Sequence, residues 1–208
     1  SNGNFTGVIN TDMESVRELE EKYDQLLQAN KMPVVVALTG AGISAESGIP
    51  TFRDANGLWE GHDVHEVASP QGFSKNPQLV LDFYNLRRKA AFEAKPNAGH
   101  LALKNLEDHA LVVVITQNVD SLHERSGSSH VLHLHGELCK VRSCGNPKLI
   151  YDYQDKAVML GDLCEQGHQL RPHIVWFGEE VPLIPLAAGI CEHADALLVI
   201  GTSLQVYP

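Results

Sequence analysis

Apolar positions follow a helical period in some stretches and run unbroken in others. Over residues 11–30, Val16, Leu19, Tyr23, Leu26 and Leu27 fall on one face, and Thr11 with Glu14 makes a capping box, so this stretch predicts an amphipathic helix. Three unbroken apolar runs, 34–38, 111–115 and 196–200, predict buried parallel strands. They end in Thr39-Gly40, Thr116-Gln117-Asn118 and Gly201-Thr202-Ser203. Asn76-Pro77-Gln78 opens a further predicted helix that runs to about residue 94, with proline near its first position. Residues 138–170 are polar and show little periodicity, which predicts a small inserted module outside the sheet. Ligands of an open α/β sheet bind beyond the carboxyl ends of its strands, so the three polar strand ends point to one site.

The first strand runs into Gly40-Ala41-Gly42-Ile43-Ser44-Ala45-Glu46-Ser47-Gly48. Gly40, Gly42 and Ala45 fit the dinucleotide pattern, in which backbone N–H groups face a phosphate. A tight turn without a ligand fits the same residues. The acidic residue that holds a ribose about twenty positions on in hydride-transfer domains is missing. The chain continues instead into Thr51-Phe52-Arg53-Asp54, which points to a dinucleotide that is consumed. The fold expected is α/β, a Rossmann-like parallel sheet over 11–137 and 171–208, with the module inserted at 138–170.

Three more groups carry candidate chemistry. Gln117, Asn118 and Asp120 emerge from the second strand and can bond a ligand's amide and hydroxyl groups, although Asn118 or Asp120 can equally cap a helix. In residues 131–137, alternation puts Leu132 and Leu134 on one face and His133 and His135 on the other, with Gly136 allowing a turn directly afterwards. His135 is the candidate general base, and His133 is assigned to the core or the surface. On the helix after Pro77, Val80, Tyr84, Arg87 and Ala91 share one stripe. An arginine there is costly unless paired, or it snorkels at the helix edge.

Charge and cysteine content narrow the class. Sixteen basic against 26 acidic residues give a net charge of −10 with no basic stripe, which argues against nucleic acid as a partner. No apolar stretch reaches membrane-spanning length and the first residues carry no apolar signal core, so a cytoplasmic protein without a membrane partner is expected. Cys139, Cys144, Cys164 and Cys191 are too sparse for a disulfide scaffold and fit a reducing compartment.

Gly-Ala-Gly-Ile-Ser, Pro-Thr-Phe-Arg-Asp, Thr-Gln-Asn-Val-Asp, His-Leu-His-Gly-Glu, Arg-Pro-His-Ile-Val-Trp-Phe-Gly-Glu and Gly-Thr-Ser-Leu-Gln-Val-Tyr-Pro follow one another in this order. Together they resemble the sirtuin family of NAD-dependent protein lysine deacylases, over residues 33–208. The resemblance implies NAD as co-substrate, bound within residues 40–59. Gly40, Ala41, Gly42, Ser44, Glu46 and Ser47 would form its loop, Phe52 and Arg53 a cover over the nicotinamide ribose, and Trp59 a further contact. Gln117, Asn118 and Asp120 would line the ribose and nicotinamide pocket, and Gly201, Thr202 and Ser203 the phosphate and ribose region. His135 would be the catalytic base, with Asn118 also catalytic. Val175, Trp176, Phe177 and Gly178 would offer an edge to an acyl-lysine peptide. Tyr84 and Arg87 match the Tyr-x-x-Arg signature of members that remove succinyl and malonyl groups as well as acetyl. The implied products are nicotinamide, free lysine and O-acyl-ADP-ribose.

The chain departs from the family pattern at the structural zinc, whose two cysteine pairs are missing. Cys144 and Cys164 stand singly near their places. Cys139, Cys144, Cys164 and His168 are the remaining zinc candidates, at spacings that match no tight pattern, so no metal is expected. The family pattern also continues past Pro208 with further helix and strand over the adenosine half of NAD. The competing readings are a mono-ADP-ribosyltransferase that uses the same site, and a non-catalytic module that binds NAD or an acyl peptide. A pure binder needs no base at His135.

Overall fold

The computed structural model describes residues 13–51 and 58–204. It opens with α1 (Met13–Ala29), β1 (Val34–Thr39) and the short α2 (Gly42–Ala45). A small hairpin, β2 (Leu58–Trp59) and β3 (His62–Asp63), leads to α3 (Val64–Val67) and α4 (Pro70–Lys75). Next come α5 (Pro77–Glu93), α6 (Ala98–Leu106), β4 (Leu111–Thr116), α7 (Leu122–Arg125) and β5 (Val131–His133). The remaining elements are β6 (Gly136–Ser143), β7 (Ile150–Asp152), β8 (Leu170–Ile174), α8 (Ile184–Glu192) and β9 (Ala196–Ile200). The predicted helices thus fall within a few residues of their expected bounds. The partner proposed for Glu14 in the capping box, Thr11, lies outside the described residues.

The apolar runs pair as parallel strands in the order β5-β4-β1-β9. Their alternate side chains serve two separate cores. Val36, Val113, Ile115 and Leu132 pack with Leu19 and Tyr23 of α1 and with Leu186 and Ile190 of α8. Ala37, Val112, Val114 and Val131 pack with Ile43 and with Leu103 of α6. Helices therefore cover both faces, and strands between two cores have no polar side to show. β9 corrects the expectation of a third buried strand: Leu197, Leu198 and Val199 are 50%, 37% and 47% exposed. An unbroken run states that both faces are apolar, whereas coverage depends on neighbours, and among the described residues β1 is the one strand that pairs with β9.

A second, antiparallel sheet has the order β7-β6-β8. Its own core joins Val141, Val158, Cys164 and Leu170 to Leu81 of α5. Arg88 fastens the same helix to it: Nε donates to the Leu138 carbonyl at 2.7 Å and Nη1 to Asn85 Oδ1 at 2.7 Å. Asn85 in turn exchanges two hydrogen bonds of 2.9 Å with the Val158 backbone. α5 therefore lies between the small sheet and an aromatic cluster containing Phe83, Tyr84 and Trp176. Buried positions on two sides of the helix explain its weak single-face periodicity.

Candidate active site

β1, β4 and β9 end together and bring their loops into contact. Gly40 donates its N–H to the Ile200 carbonyl at 3.0 Å, and Gly42 to the Gly201 carbonyl at 2.8 Å. A Cβ on Gly42 would sit 2.7 Å from the Gly201 Cα, and one on Gly40 would sit 2.5 Å from the Thr202 Cβ. These glycines therefore allow two backbones to touch. Asn118, buried at the end of β4, donates from Nδ2 to the Gly40 carbonyl at 2.9 Å. Ser44 donates to Asp120 Oδ2 at 2.9 Å, while Asp120 Oδ1 accepts the Leu122 N–H at 3.0 Å. Asp120 thus takes up the first N–H of α7, in line with the capping alternative, and also fixes a loop side chain. Thr202 closes the ring by donating to Gln117 Oε1 at 3.2 Å.

His135 follows β5, with Nδ1 3.1 Å from the Gln117 carbonyl oxygen. A carbonyl only accepts, so Nδ1 carries the hydrogen and Nε2 keeps the basic lone pair. Burial lowers the pKa of His135 below 6.5, partly opposed by the Gln117 hydrogen bond, so the ring is neutral near pH 7. Two of the fully buried histidines, His123 and His173, have strongly depressed pKa values as well. His123 accepts from or donates to Thr39 Oγ1 at 2.9 Å, and burial together with His100 and His133 pushes it down to about 3. His173 is likewise pushed down to about 3, by burial and then by Arg142.

A cleft of about 1810 Å³ runs from these loops to α5 and the segment after β8. Ala41, Gly42, Ser44, Gln117, Asn118 and Asp120 line one end, together with His135, Gly201, Thr202 and Ser203. Trp59, Tyr84, Arg87, Val175, Trp176, Phe177 and Gly178 line the other. Gly40, Glu46 and Ser47 do not line it: Gly40 faces the β9 loop, Ser47 Oγ accepts from Asn97 at 2.9 Å, and Glu46 ends α2. Phe52 and Arg53 lie outside the described residues.

The far end is aromatic. Trp176 donates from Nε1 to the Tyr84 hydroxyl at 3.0 Å, and Trp59 sets its edge against Phe83 at 4.9 Å. Arg87 lies 4.1 Å over the Phe83 ring, with Nη2 3.4 Å from Glu60. Its Nε is buried with no hydrogen-bond partner among the described residues. Arg171 braces this wall: it stacks 3.7 Å over Trp176 and binds both Glu179 oxygens at 2.9 Å. Val175, Trp176 and Phe177 spend their N–H groups on His135, Glu179 and Ala68 respectively.

Among the zinc candidates, Cys144 and Cys164 lie close enough to influence each other, and the Cys164 N–H donates to the His168 carbonyl at 2.8 Å. Among the described residues, the His, Cys, Asp and Glu group whose ligand atoms lie within 4.8 Å of one another is Glu124, His133 and Glu137. No three of Cys139, Cys144, Cys164 and His168 have ligand atoms that close among the described residues. The sequence reading missed Glu124 and the buried His100 and His123. Their positions give no local signal, because each gains its partner from a distant element.

Comparison with known proteins bears on the same residues. The Sir2 family model matches residues 40–208. An NAD-dependent protein deacylase of Helicobacter pylori J99 is 62% identical over 177 residues, covering 85% of this chain and 75% of the relative. Its namesake in Bacteroides thetaiotaomicron is 56% identical over 182 residues, covering 85% of this chain and 78% of the relative. Among solved structures, a Sir2 homologue–NAD complex superposes with TM-score 0.76 at 40% identity, covering 99% of this chain and 78% of the other. A Sir2 bound to acetylated peptide gives TM-score 0.70 at 33% identity, covering 90% and 77%.

Proposed function

We propose a function that proceeds from one fact: this chain belongs to the Sir2 family. It is an NAD-dependent protein lysine deacylase that removes acetyl, succinyl and malonyl groups. The observation that carries the reading is the neutral His135, whose basic Nε2 is set by the Gln117 carbonyl at the edge of a cleft large enough for two substrates.

NAD supplies an activated glycosidic bond, and the acyl-lysine oxygen is the nucleophile. The protein holds the two together, which is worth several kcal/mol, of order ~7–11 for an ideal geometry. Gly42, Ser44, Asn118 and Asp120 form the rigid floor that orients the ribose. The acyl oxygen would bond to C1′ as nicotinamide leaves. His135 Nε2 would then take the proton from a ribose hydroxyl as that oxygen attacks the resulting imidate, and water would complete the release of lysine and O-acyl-ADP-ribose. The peptide lies along residues 175–178. The N–H groups of Val175, Trp176 and Phe177 are engaged and the Trp176 carbonyl accepts from Glu179, so pairing there would fall to the remaining carbonyls of this segment.

Tyr84 and Arg87 set the acyl preference. The Tyr84 hydroxyl accepts from Trp176, so its own hydrogen is directed to an acceptor in the cleft. Arg87 offers a half-buried guanidinium beside it, suited to the free carboxylate of succinyl-lysine. Burial lowers its pKa, opposed by Glu60.

Mass spectrometry of acetyl- and succinyl-lysine peptides incubated with NAD tests the proposal. Free lysine, nicotinamide and O-acyl-ADP-ribose are expected from both. Absence of all three with either peptide overturns the reading, and transfer of ADP-ribose to protein would replace it with the transferase.

A further inference from the structure

His133 is almost fully buried, one residue before Leu134 and two before the candidate base. Its two ring nitrogens both meet groups that only accept. Nδ1 lies 2.8 Å from the Asn118 carbonyl oxygen, and Nε2 is hydrogen-bonded to the Glu124 carboxylate. A neutral imidazole has one N–H and would turn a lone pair toward the other oxygen. With Glu124 ionised, as its lowered pKa requires near neutral pH, only the doubly protonated ring satisfies both contacts.

The surroundings balance that charge. Glu137 lies 3.9 Å from Nε2 and is itself paired with Lys140 at 3.0 Å. Two carboxylates thus face two cations. The other titratable neighbours stay neutral: His123 on α7 and His173 on β8 are both pushed down to about 3, and Cys139 on β6 is pushed up to about 11. Burial opposes the charge on His133, but Glu124 and then Glu137 outweigh it and raise the ring to about 10. In Glu124, burial raises the pKa and His133 more than reverses it.

We propose that His133 is a positioning residue, an imidazolium anchored by Glu124 that clamps the Asn118 carbonyl and so holds the loop segment that carries Asn118 and, one peptide earlier, the Gln117 carbonyl bonded to His135. Asn118 is held at three points. Its N–H donates to Thr116 Oγ1 at 3.0 Å, its Nδ2 to the Gly40 carbonyl at 2.9 Å, and its carbonyl accepts from His133 at 2.8 Å. The preceding carbonyl, that of Gln117, sets the tautomer of His135. Loss of the Glu124–His133 pair would loosen the hold on the Asn118–Val119 peptide and, through the Asn118 backbone, on the Gln117–Asn118 peptide beside it. Two histidines on one strand thus divide the work: His133 stays charged and holds the loop, and His135 stays neutral and accepts the proton.

The catalytic part of this assignment rests on the deacylase reading, whereas the charge state does not. Nitrogen-15 NMR of histidine-labelled full chain, with His133 assigned through His133→Gln, reads the charge directly. Both ring nitrogens of His133 should carry hydrogens from pH 6 to about 8.5. Titration of this ring near 6.5, or a stoichiometric metal bound to the purified protein through Nε2, overturns the proposal. Glu124→Gln should lower kcat on the order of tenfold with KM for the acyl peptide unchanged. It should also shift the acid limb of the pH profile, which a purely structural role would not move. Wild-type kcat and pH profile in a folded Glu124→Gln protein would overturn the positioning role. If this variant does not fold, Glu137→Gln takes its place, with a smaller loss in the same direction expected, and unchanged kcat overturns the role. An unmodified chain that shows the charged ring but deacylates nothing would sink the functional reading alone.

Discussion

The two ends of the cleft are built by opposite means. At the strand ends, Ser44, Asn118, Asp120 and His135 are held by buried hydrogen bonds to one another and to backbone. At the α5 end, Trp59, Phe83, Tyr84 and Trp176 are held by ring edges, and the charge of Arg87 is only half-buried beside Glu60. A hydrogen-bonded end has one geometry, as the breaking and forming of bonds requires. On the proposed reading, an aromatic end with one half-buried cation would admit acyl groups of several sizes and select among them by charge. Damage at the first end should therefore cost every reaction, and damage at the second only some.

The largest expected effect is at the first end. His135→Ala should reduce deacetylation and desuccinylation together, by about 10²–10⁴-fold. Initial rates with both peptides check this, and a variant that loses one activity alone would break the contrast. At the other end, Arg87→Met should remove desuccinylation by on the order of a hundredfold through loss of a charge-assisted pair, and leave deacetylation near wild type. Equal loss of both would show that Arg87 shapes the whole cleft. Tyr84→Phe keeps the ring but leaves the buried Trp176 N–H without its acceptor. It should cost about 1–3 kcal/mol of stability in a denaturant titration, and lower desuccinylation more than deacetylation.

The pH predictions are smaller and separate the ends again. His123 and His173 sit at about 3 in the fold against 6.5 when unfolded. Between those values the unfolded chain binds more protons, so stability should fall as pH is lowered from about 6.5 toward 3. Glu124 and Glu179, both held below 4.5, add a further loss lower still. His133, raised to about 10, works the other way: its contribution is full below about 6.5 and is lost as pH rises toward 10. Thermal melts across pH 4–9 should therefore peak near neutrality, and a flat profile would contradict these histidine assignments. Arg87 stays charged throughout, so the ratio of desuccinylation to deacetylation should change little between pH 6 and 8.

Local patterns made the frame legible. An unbroken apolar run closed by glycine or a polar residue marks a strand and its end, and three such ends were enough to place the cleft. What stayed hidden depends on distant partners. Alternation put His133 and His135 on one face, yet Glu124 fixes the charge of the first and Gln117 the tautomer of the second. Arg87 drew notice on its apolar stripe, while the neighbouring Arg88, 1% exposed, carries the attachment to the small sheet. Its acceptor is a backbone carbonyl on β6, which no side-chain pattern encodes. β9 shows the converse, since its composition reads as core, yet among the described residues it has one strand neighbour and stays open.

The contact between the Gly40–Gly42 turn and Gly201 has a kinetic consequence. The turn takes its final shape only against a loop from the far end of the chain. Closing so long a stretch is slow compared with forming α5 or the β2–β3 hairpin, whose contacts are local. The glycine turn, which looks like the most self-contained motif in the sequence, is therefore expected among the last parts to be completed in folding. A ligand that requires it would serve as a stopwatch for the docking of β9.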